Sequence, residues 1–290
     1  MVFAGMDALG KQLTTVLPVL QVVWGRYVVQ TLLMTVYLSH TTGTRFLKAR
    51  RPVLQLVRGA MLLSATLTMY FALAHIPLAD ATSVLFVSPI VVTILSVLFL
   101  KERIGIHRIA AVLAGFFGVM LIVRPGFANA EPYLLLPLFG AVLNALYMLM
   151  TRQLAGADDT AATQFNTTAV GSLILSVAVI PVWETPSPLT AVMMLLIGTV
   201  GAIGHFCLIR GFAYAPASLL SPFLYSQVLF ASLVSILWFG DPMHPLTLLG
   251  TAVLVGSGLY IWWRENRKAR SCKPLPLATE AASAGTPDGA

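Results

Sequence analysis

The sequence predicts an all-α integral membrane protein of ten transmembrane helices in two inverted five-helix repeats, the first helix short. Three observations predict it: a composition too apolar for a soluble fold, uncharged stretches of spanning length, and basic residues gathered on alternate connections. Of 290 residues, 58% are hydrophobic and 10% charged, with a mean hydropathy of +0.85; a soluble domain carries about a quarter charged residues. At about 1.5 Å per residue, a helix needs about 20 apolar residues to cross a hydrocarbon core of about 30 Å. Residues 81–100, 132–151, 160–183, 185–209, 211–240 and 242–263 contain no Asp, Glu, Lys or Arg. Buried helices of a soluble protein would keep charged outer faces, and these have none.

Breaking the apolar runs at Pro, Gly and charge clusters gives ten segments: 1–17, 19–39, 52–74, 79–100, 106–123, 132–152, 161–183, 189–213, 217–239 and 243–263. The first is short for a span and carries Asp7 and Lys11. It is either a fragment of a longer helix or one in which the two charges, a turn apart, pair with each other or face a polar interior. In the second, Arg26 lies about eight residues, or about 12 Å, past Pro18, where it either snorkels outward or faces Asp7 or an anionic substrate. With both termini cytoplasmic, the inner connections and tail collect Arg45, Lys48, Arg50, Arg51, Lys101, Arg103, Arg152, Arg264, Arg267, Lys268, Arg270 and Lys273. Outer connections keep little beyond Arg124, as the positive-inside rule requires, and an odd number of spans would scatter the charge over both faces. The net charge of +7 therefore reports topology and not nucleic acid, since the basic residues are dispersed between apolar runs. Residues 266–290 are expected to form a disordered cytoplasmic tail, the stretch from Lys273 being rich in Pro, Ala, Ser, Thr and Gly with no apolar period.

Sliding the second half over the first by 139 residues places Ala74 on Ala213, Pro77 on Pro216, Gly59 on Gly198, Leu100 on Phe239 and Glu102 on Asp241; one further residue of offset matches Gly118 with Gly258. Duplication is the simplest account, with repeats at 1–126 and 127–265. Five helices per copy make the second enter the membrane from the opposite side. Inverted repeats of this kind mark secondary transporters, because exchanging the conformations of the two halves turns an inward-open state into an outward-open one.

Ala79-Asp80-Ala81 after a Pro turn, Ser88-Pro89, Phe99-Leu100-Lys101-Glu102-Arg103 and a Gly-rich helix closing at Arg124-Pro125-Gly126 resemble the drug/metabolite transporter superfamily, in its EamA-type branch. The second copy's Ser221-Pro222-Phe223-Leu224-Tyr225-Ser226-Gln227, Phe239-Gly240-Asp241-Pro242 and Gly258-Leu259-Tyr260 match the same pattern. The resemblance implies a ten-helix carrier in a bacterial inner (plasma) membrane, its central cavity lined mainly by the first, third, fourth, sixth, eighth and ninth helices. Its partners are then the lipid bilayer and a small-molecule substrate, an amino acid, amine, nucleotide-like or vitamin metabolite, with pairing into a homodimer left open. Asp7-Ala8-Leu9-Gly10-Lys11 and Trp24-Gly25-Arg26-Tyr27 look like the branch with S-adenosylmethionine and riboflavin importers. Family members carry about half a helix more before the position of Asp7.

A polar group in hydrocarbon costs about 2 kcal/mol or more unless paired or wet, so each one inside a span is a candidate for the cavity. His205, beside Gly201 and Gly204, either meets substrate or joins two helices. Tyr225 and Gln227 follow a proline that frees a backbone carbonyl, and the 139-residue offset brings Ser88 and Pro89 opposite them. Asn144 and Tyr147 share one face of the sixth segment. Ser64 and Tyr70 of the third are weaker choices, as is Thr68, because hydroxyls bond cheaply to their own helix. Glu102 and Asp241 end helices on opposite membrane faces, where they bond loop amides or take part in gating.

Two other classes compete. His75 and Asp80 have the spacing of an acyltransferase base and its orienting carboxylate, but Pro77 divides them and the second copy has Tyr214 and Leu219 there. A non-transporting scaffold subunit is the other. Neither a P-loop nor a Cys or His cluster occurs, so no cofactor, metal or nucleotide is expected; Cys207 and Cys272 stand far apart.

Overall fold

The computed structural model describes residues 2–100, 106–123, 132–154, 160–214, 217–241 and 243–271, with side chains 208–225 and a few others outside that description. Among the described residues there are eleven α-helices: α1 (Val2–Thr14), α2 (Val19–Thr42), α3 (Pro52–Leu73), α4 (Leu78–Leu85), α5 (Ser88–Leu100), α6 (Ile106–Val123), α7 (Leu135–Leu154), α8 (Thr160–Ala178), α9 (Pro188–Tyr214), α10 (Ala217–Leu237) and α11 (Pro245–Ser271). Proline starts or immediately precedes six of them in the sequence, at Pro18, Pro52, Pro77, Pro188, Pro216 and Pro245. The first turn has no use for the N–H that proline lacks.

Five helices are long and apolar enough to cross a membrane and three more are apolar but shorter, among the described residues. The bundle is inside-out by the standard of a soluble protein. Leu32, Val36, Leu113, Phe116, Phe117, Leu173, Val177, Leu195, Leu229 and Leu248 are exposed on its outside, while Asp7, Gln21, Arg26, Gln30, Gln55 and Arg58 are buried. An apolar surface of that extent needs lipid against it.

Contacts between connections define two ends. At one, the Gln21 amide donates to the Glu184 carbonyl at 2.6 Å and accepts from its N–H, and His75 stacks on Tyr133. At the other, Phe46 meets Phe165 edge-on and His107 bonds Tyr260. Through the bundle, α3 packs on α7 and α8, α2 on α8 and α9, α1 on α9 and α10, and α6 on α11. That last crossing is backbone on backbone. A Cβ added at Gly118 would lie 2.7 Å from the Gly250 carbonyl, and one at Gly250 would lie 2.5 Å from the Gly118 carbonyl, so only glycine fits on either side.

Two boundaries differ from the expectation. The segment 79–100 is not one helix: it turns at Phe86 and Val87 between α4 and α5. Pro89 has no N–H for the Leu85 carbonyl, and the Ser88 hydroxyl donates to that carbonyl instead, at 2.7 Å. At the C-terminal end α11 continues to Ser271, so residues 266–271 are helical rather than part of a disordered tail. Arg264 to Arg270 is made largely of good helix formers, basic residues are favourable at a helix C-terminus, and the Arg267 guanidinium lies over the Trp263 ring at 5.5 Å. The rest of the tail lies outside the described residues.

Candidate functional site

Burying a charge in a membrane protein is costly, so enclosed charges mark a polar interior. Asp7 on α1 is 5% exposed and Arg26 on α2 is 9% exposed. They lie within coulombic reach of each other yet form no ion pair. The Asp7 Oδ2 accepts from the Gln227 amide on α10 at 3.0 Å. The Arg26 Nη1 donates to the Tyr70 hydroxyl on α3 at 3.3 Å, and the guanidinium carbon sits 5.5 Å from the Tyr70 ring centre. The Arg26 Nε is buried with no hydrogen-bond partner.

Two glycines let these groups meet. A Cβ at Gly10 would be 2.5 Å from the Tyr70 ring, and one at Gly201 on α9 would be 3.3 Å from the Gln30 Oε1 and 3.9 Å from the Arg26 Nε. A helical turn beyond Gly201, the His205 Nδ1 bonds the Gly201 carbonyl at 3.0 Å, and its ring meets Phe3 edge-on. A carbonyl only accepts, so Nδ1 carries a proton, and in the neutral ring Nε2 is then an acceptor.

One turn along α1 from Asp7, the Lys11 Nζ pairs with the Asp241 Oδ2 at 2.6 Å and lies 4.8 Å from the Phe239 ring centre. Gly240 presents this carboxylate. Its positive φ of 68° is open to glycine at no steric cost, and it folds the chain back so that the Asp241 N–H reaches the Ser235 carbonyl at 3.0 Å. Asp7 and Lys11 therefore face the interior with separate partners and do not pair with each other.

Of the other candidates, Ser88 and Asn144 are brought together, the Asn144 amide donating to the Ser88 hydroxyl at 3.3 Å. Tyr147 lies under a different cation, the Arg58 guanidinium, 5.3 Å from its ring centre. Ser64 is half-buried on α3 and hydrogen-bonds none of these groups. The Tyr225 side chain and all of Glu102 lie outside the described residues. His75 and Asp80 are not joined: the His75 Nδ1 bonds the Phe71 carbonyl at 2.8 Å and the ring stacks on Tyr133 at 3.9 Å.

Sequence reasoning missed Gln30 and Arg58. Gln30 is four residues past Arg26, on the same face of an otherwise apolar helix, and that spacing was the signal. Arg58, 1% exposed, donates to the Thr151 and Thr167 hydroxyls and the Thr163 carbonyl. It ties α3 to α7 and α8, and nothing local in the sequence separates it from a snorkelling arginine.

The site is a cluster of enclosed polar groups on five helices, α1, α2, α3, α9 and α10: one carboxylate, one guanidinium, two carboxamides, a phenol and an imidazole. The EamA-like transporter family matches the chain twice, over residues 1–124 and 132–263. An S-adenosylmethionine uptake transporter of Rickettsia bellii is 23% identical over 92% of this chain and 91% of its own. A pseudopaline exporter of Pseudomonas aeruginosa is 31% identical over 87% of this chain and 89% of its own, and a riboflavin transporter of Vibrio cholerae is 30% identical over 69% and 68%. A solved crystal structure shares the fold with a TM-score of 0.62 over 92% of this chain and 96% of that one, at 20% identity. This chain is a multi-pass membrane protein of the EamA-like transporter family, within the drug/metabolite transporter superfamily.

Proposed function

We propose that the chain is a secondary carrier that moves a small organic metabolite across a bacterial inner membrane by alternating access of two inverted five-helix repeats, 1–126 and 127–265. The observation that carries this reading is a set of contacts that occurs twice. Asp7 at the start of the first copy bonds Gln227 in the second, and Asn144 at the start of the second bonds Ser88 in the first. Asp7 and Asn144 are 137 residues apart, Ser88 and Gln227 are 139. The space beside Gly59 is filled by Val170 and that beside Gly198 by Val29, again with partners exchanged between copies. Each copy's first helix meets the other's fourth, and each copy's third meets the other's second. A carrier needs this exchange, because two halves that contact each other equivalently can trade conformations.

The ten spans follow from five per copy, and the end that gathers Arg45, Lys48, Arg50, Arg51, Arg264 and Arg267 is the cytoplasmic one, with both termini there. Substrate binds in the chamber of Asp7, Arg26, Tyr70, His205 and Gln227, with Tyr225, Ser88, Asn144, Tyr147 and Ser64 as further candidates for the permeation path. Among cargoes named for relatives, S-adenosylmethionine and pseudopaline are charged metabolites and riboflavin is a vitamin, so a small polar organic compound is the class in view. Purified full-length protein in proteoliposomes should give counterflow, in which unlabelled compound trapped inside drives uptake of labelled compound, for at least one of S-adenosylmethionine, the common amino acids or riboflavin. A scaffold subunit gives none, and that result would overturn the reading.

A further inference from the structure

We infer that the C-terminal end of α11 is a docking site for an anionic glycerophospholipid, its phosphate at Arg264 and Arg267 and an acyl chain along the outer face of the helix. The inference needs the membrane fold and not the transport reading.

The length of α11 comes first. Its 27 residues, Pro245–Ser271, span about 40 Å at about 1.5 Å per residue, against a hydrocarbon core of about 30 Å. The apolar stretch ends at Arg264. The last turns therefore stand in the headgroup layer, and they do so as helix.

Those turns continue an exposed stripe. Leu249, Ala252, Gly256, Tyr260, Trp263 and Arg267 follow one another at intervals of three or four residues, hence on one face, and all six are exposed. At Gly256 the stripe is open, since a Cβ added there would meet no atom within 4 Å. Gly256 to Arg267 is about 16 Å of helix, close to the hydrocarbon depth of one leaflet. An acyl chain laid along this face puts its headgroup at Arg267.

Aromatic rings mark the interface on the same stripe. Trp263 is 52% exposed and Tyr260 38%, and the Tyr260 hydroxyl is hydrogen-bonded to Nδ1 of His107 on α6 at 2.9 Å. One turn beyond Trp263, the Arg267 guanidinium carbon lies 5.5 Å from the centre of that ring. The cation is thus kept on the lipid-facing side, at the depth of the phosphates. Arg264, half-buried, follows Trp263 directly. From 264 to 270 the sequence holds Arg264, Arg267, Lys268 and Arg270 against one carboxylate, Glu265. A surplus of cations at the end of a spanning helix attracts anionic headgroups over zwitterionic ones. Topology alone calls for cations in a connection, as at Arg45, Lys48 and Arg51. It does not call for one laid over an exposed indole in line with an open apolar stripe.

The test is native mass spectrometry of the full chain in detergent, with dioleoylphosphatidylglycerol and dioleoylphosphatidylcholine offered in equal amounts. We expect the anionic lipid to be retained at least fivefold more. Arg264→Gln, Arg267→Gln and Lys268→Gln together should lower that retention at least fivefold. Arg45→Gln, Lys48→Gln and Arg51→Gln together remove the same charge elsewhere and should leave it. Should either triple variant fail to elute as a single species, the unaltered chain is compared with Trp263→Phe in vesicles containing either lipid brominated on its acyl chains. Phosphatidylglycerol should quench tryptophan fluorescence more than phosphatidylcholine does, and Trp263→Phe should remove that difference. Equal retention or equal quenching by the two lipids would overturn the inference. So would retention that survives in the first triple variant or falls equally in both, or a quenching difference that outlasts Trp263→Phe. sn-Glycerol 3-phosphate should not displace the lipid; displacement would show that these cations take soluble phosphate, and would overturn the inference as well.

Discussion

Tyr70 is the most constrained of the chamber's side chains. It is fully buried, its ring lies against Gly10, and its hydroxyl is the acceptor that holds the Arg26 Nη1. Tyr70→Phe keeps the ring and removes the acceptor, leaving a guanidinium N–H unpaired at a cost of about 1–3 kcal/mol. We expect a lower detergent unfolding temperature and weaker substrate binding together, whereas Val53→Ala on the exposed side of the same helix should change neither; thermal unfolding with and without substrate measures both. Legibility at this scale divides cleanly. Asp7, Arg26, Tyr70, His205 and Gln227 stand out in the sequence because hydrocarbon tolerates so few polar groups. Their pairings do not, because helical periodicity specifies only which residues share a face of one helix, and Asp7 meets Gln227 across 220 positions of chain. Arg58 shows the same limit, since its threonine partners belong to two distant helices.

Single backbone groups decide how the helices break and cross. The turn between α4 and α5 exists because Pro89 cannot serve the Leu85 carbonyl, and Ser88 serves it from its side chain while also accepting from Asn144. Ser88→Ala removes both bonds and should cost about 1–2 kcal/mol, two ordinary hydrogen bonds in a partly buried place. Ser88→Thr should recover most of it, as read from the unfolding midpoint of purified protein. The Ser-Pro dipeptide was visible in the sequence, but the second copy's Ser221-Pro222 lies within α10, which runs unbroken. A proline thus signals a freed carbonyl, and whether the helix breaks there depends on what else serves that carbonyl. The α6–α11 crossing is stricter still. Gly250→Val would drive a side chain into the Gly118 carbonyl, a backbone atom that cannot swing aside, while Gly256 on the same helix has nothing within 4 Å of its Cβ direction. Gly250→Val should abolish the monodisperse size-exclusion peak and Gly256→Val should leave it.

At the scale of the whole molecule, composition and the long uncharged stretches made the membrane fold readable, because it is enforced by the lipid and not by particular contacts. The contacts of Asp7 with Gln227 and of Asn144 with Ser88 were not readable, since partners so far apart in the chain leave only a faint 139-residue echo. Lys11 and Asp241 lie where contact between the halves matters most. Lys11 closes the first helix of one copy and Asp241 follows the fourth helix of the other, at the end opposite the basic connections, with side chains 14% and 30% exposed. If the copies rock about a central site, opening this end separates α1 from the connection after α10, and the pair must break each time. A partly screened ion pair contributes about 1 kcal/mol, enough to shift a two-state population about fivefold and too little to hold the end shut against bound substrate. Lys11→Met and Asp241→Asn should therefore leave the protein folded and favour the conformation open at this end. A membrane-impermeant thiol reagent added outside would then modify a cysteine introduced at Ala8, half-buried on α1, in the otherwise cysteine-free protein, about fivefold faster than in the parent. The exchanged pair, Lys11→Asp with Asp241→Lys, should bring the rate back toward the parent's. A rate that stays put in all three variants would show that the pair fastens the bundle without gating it.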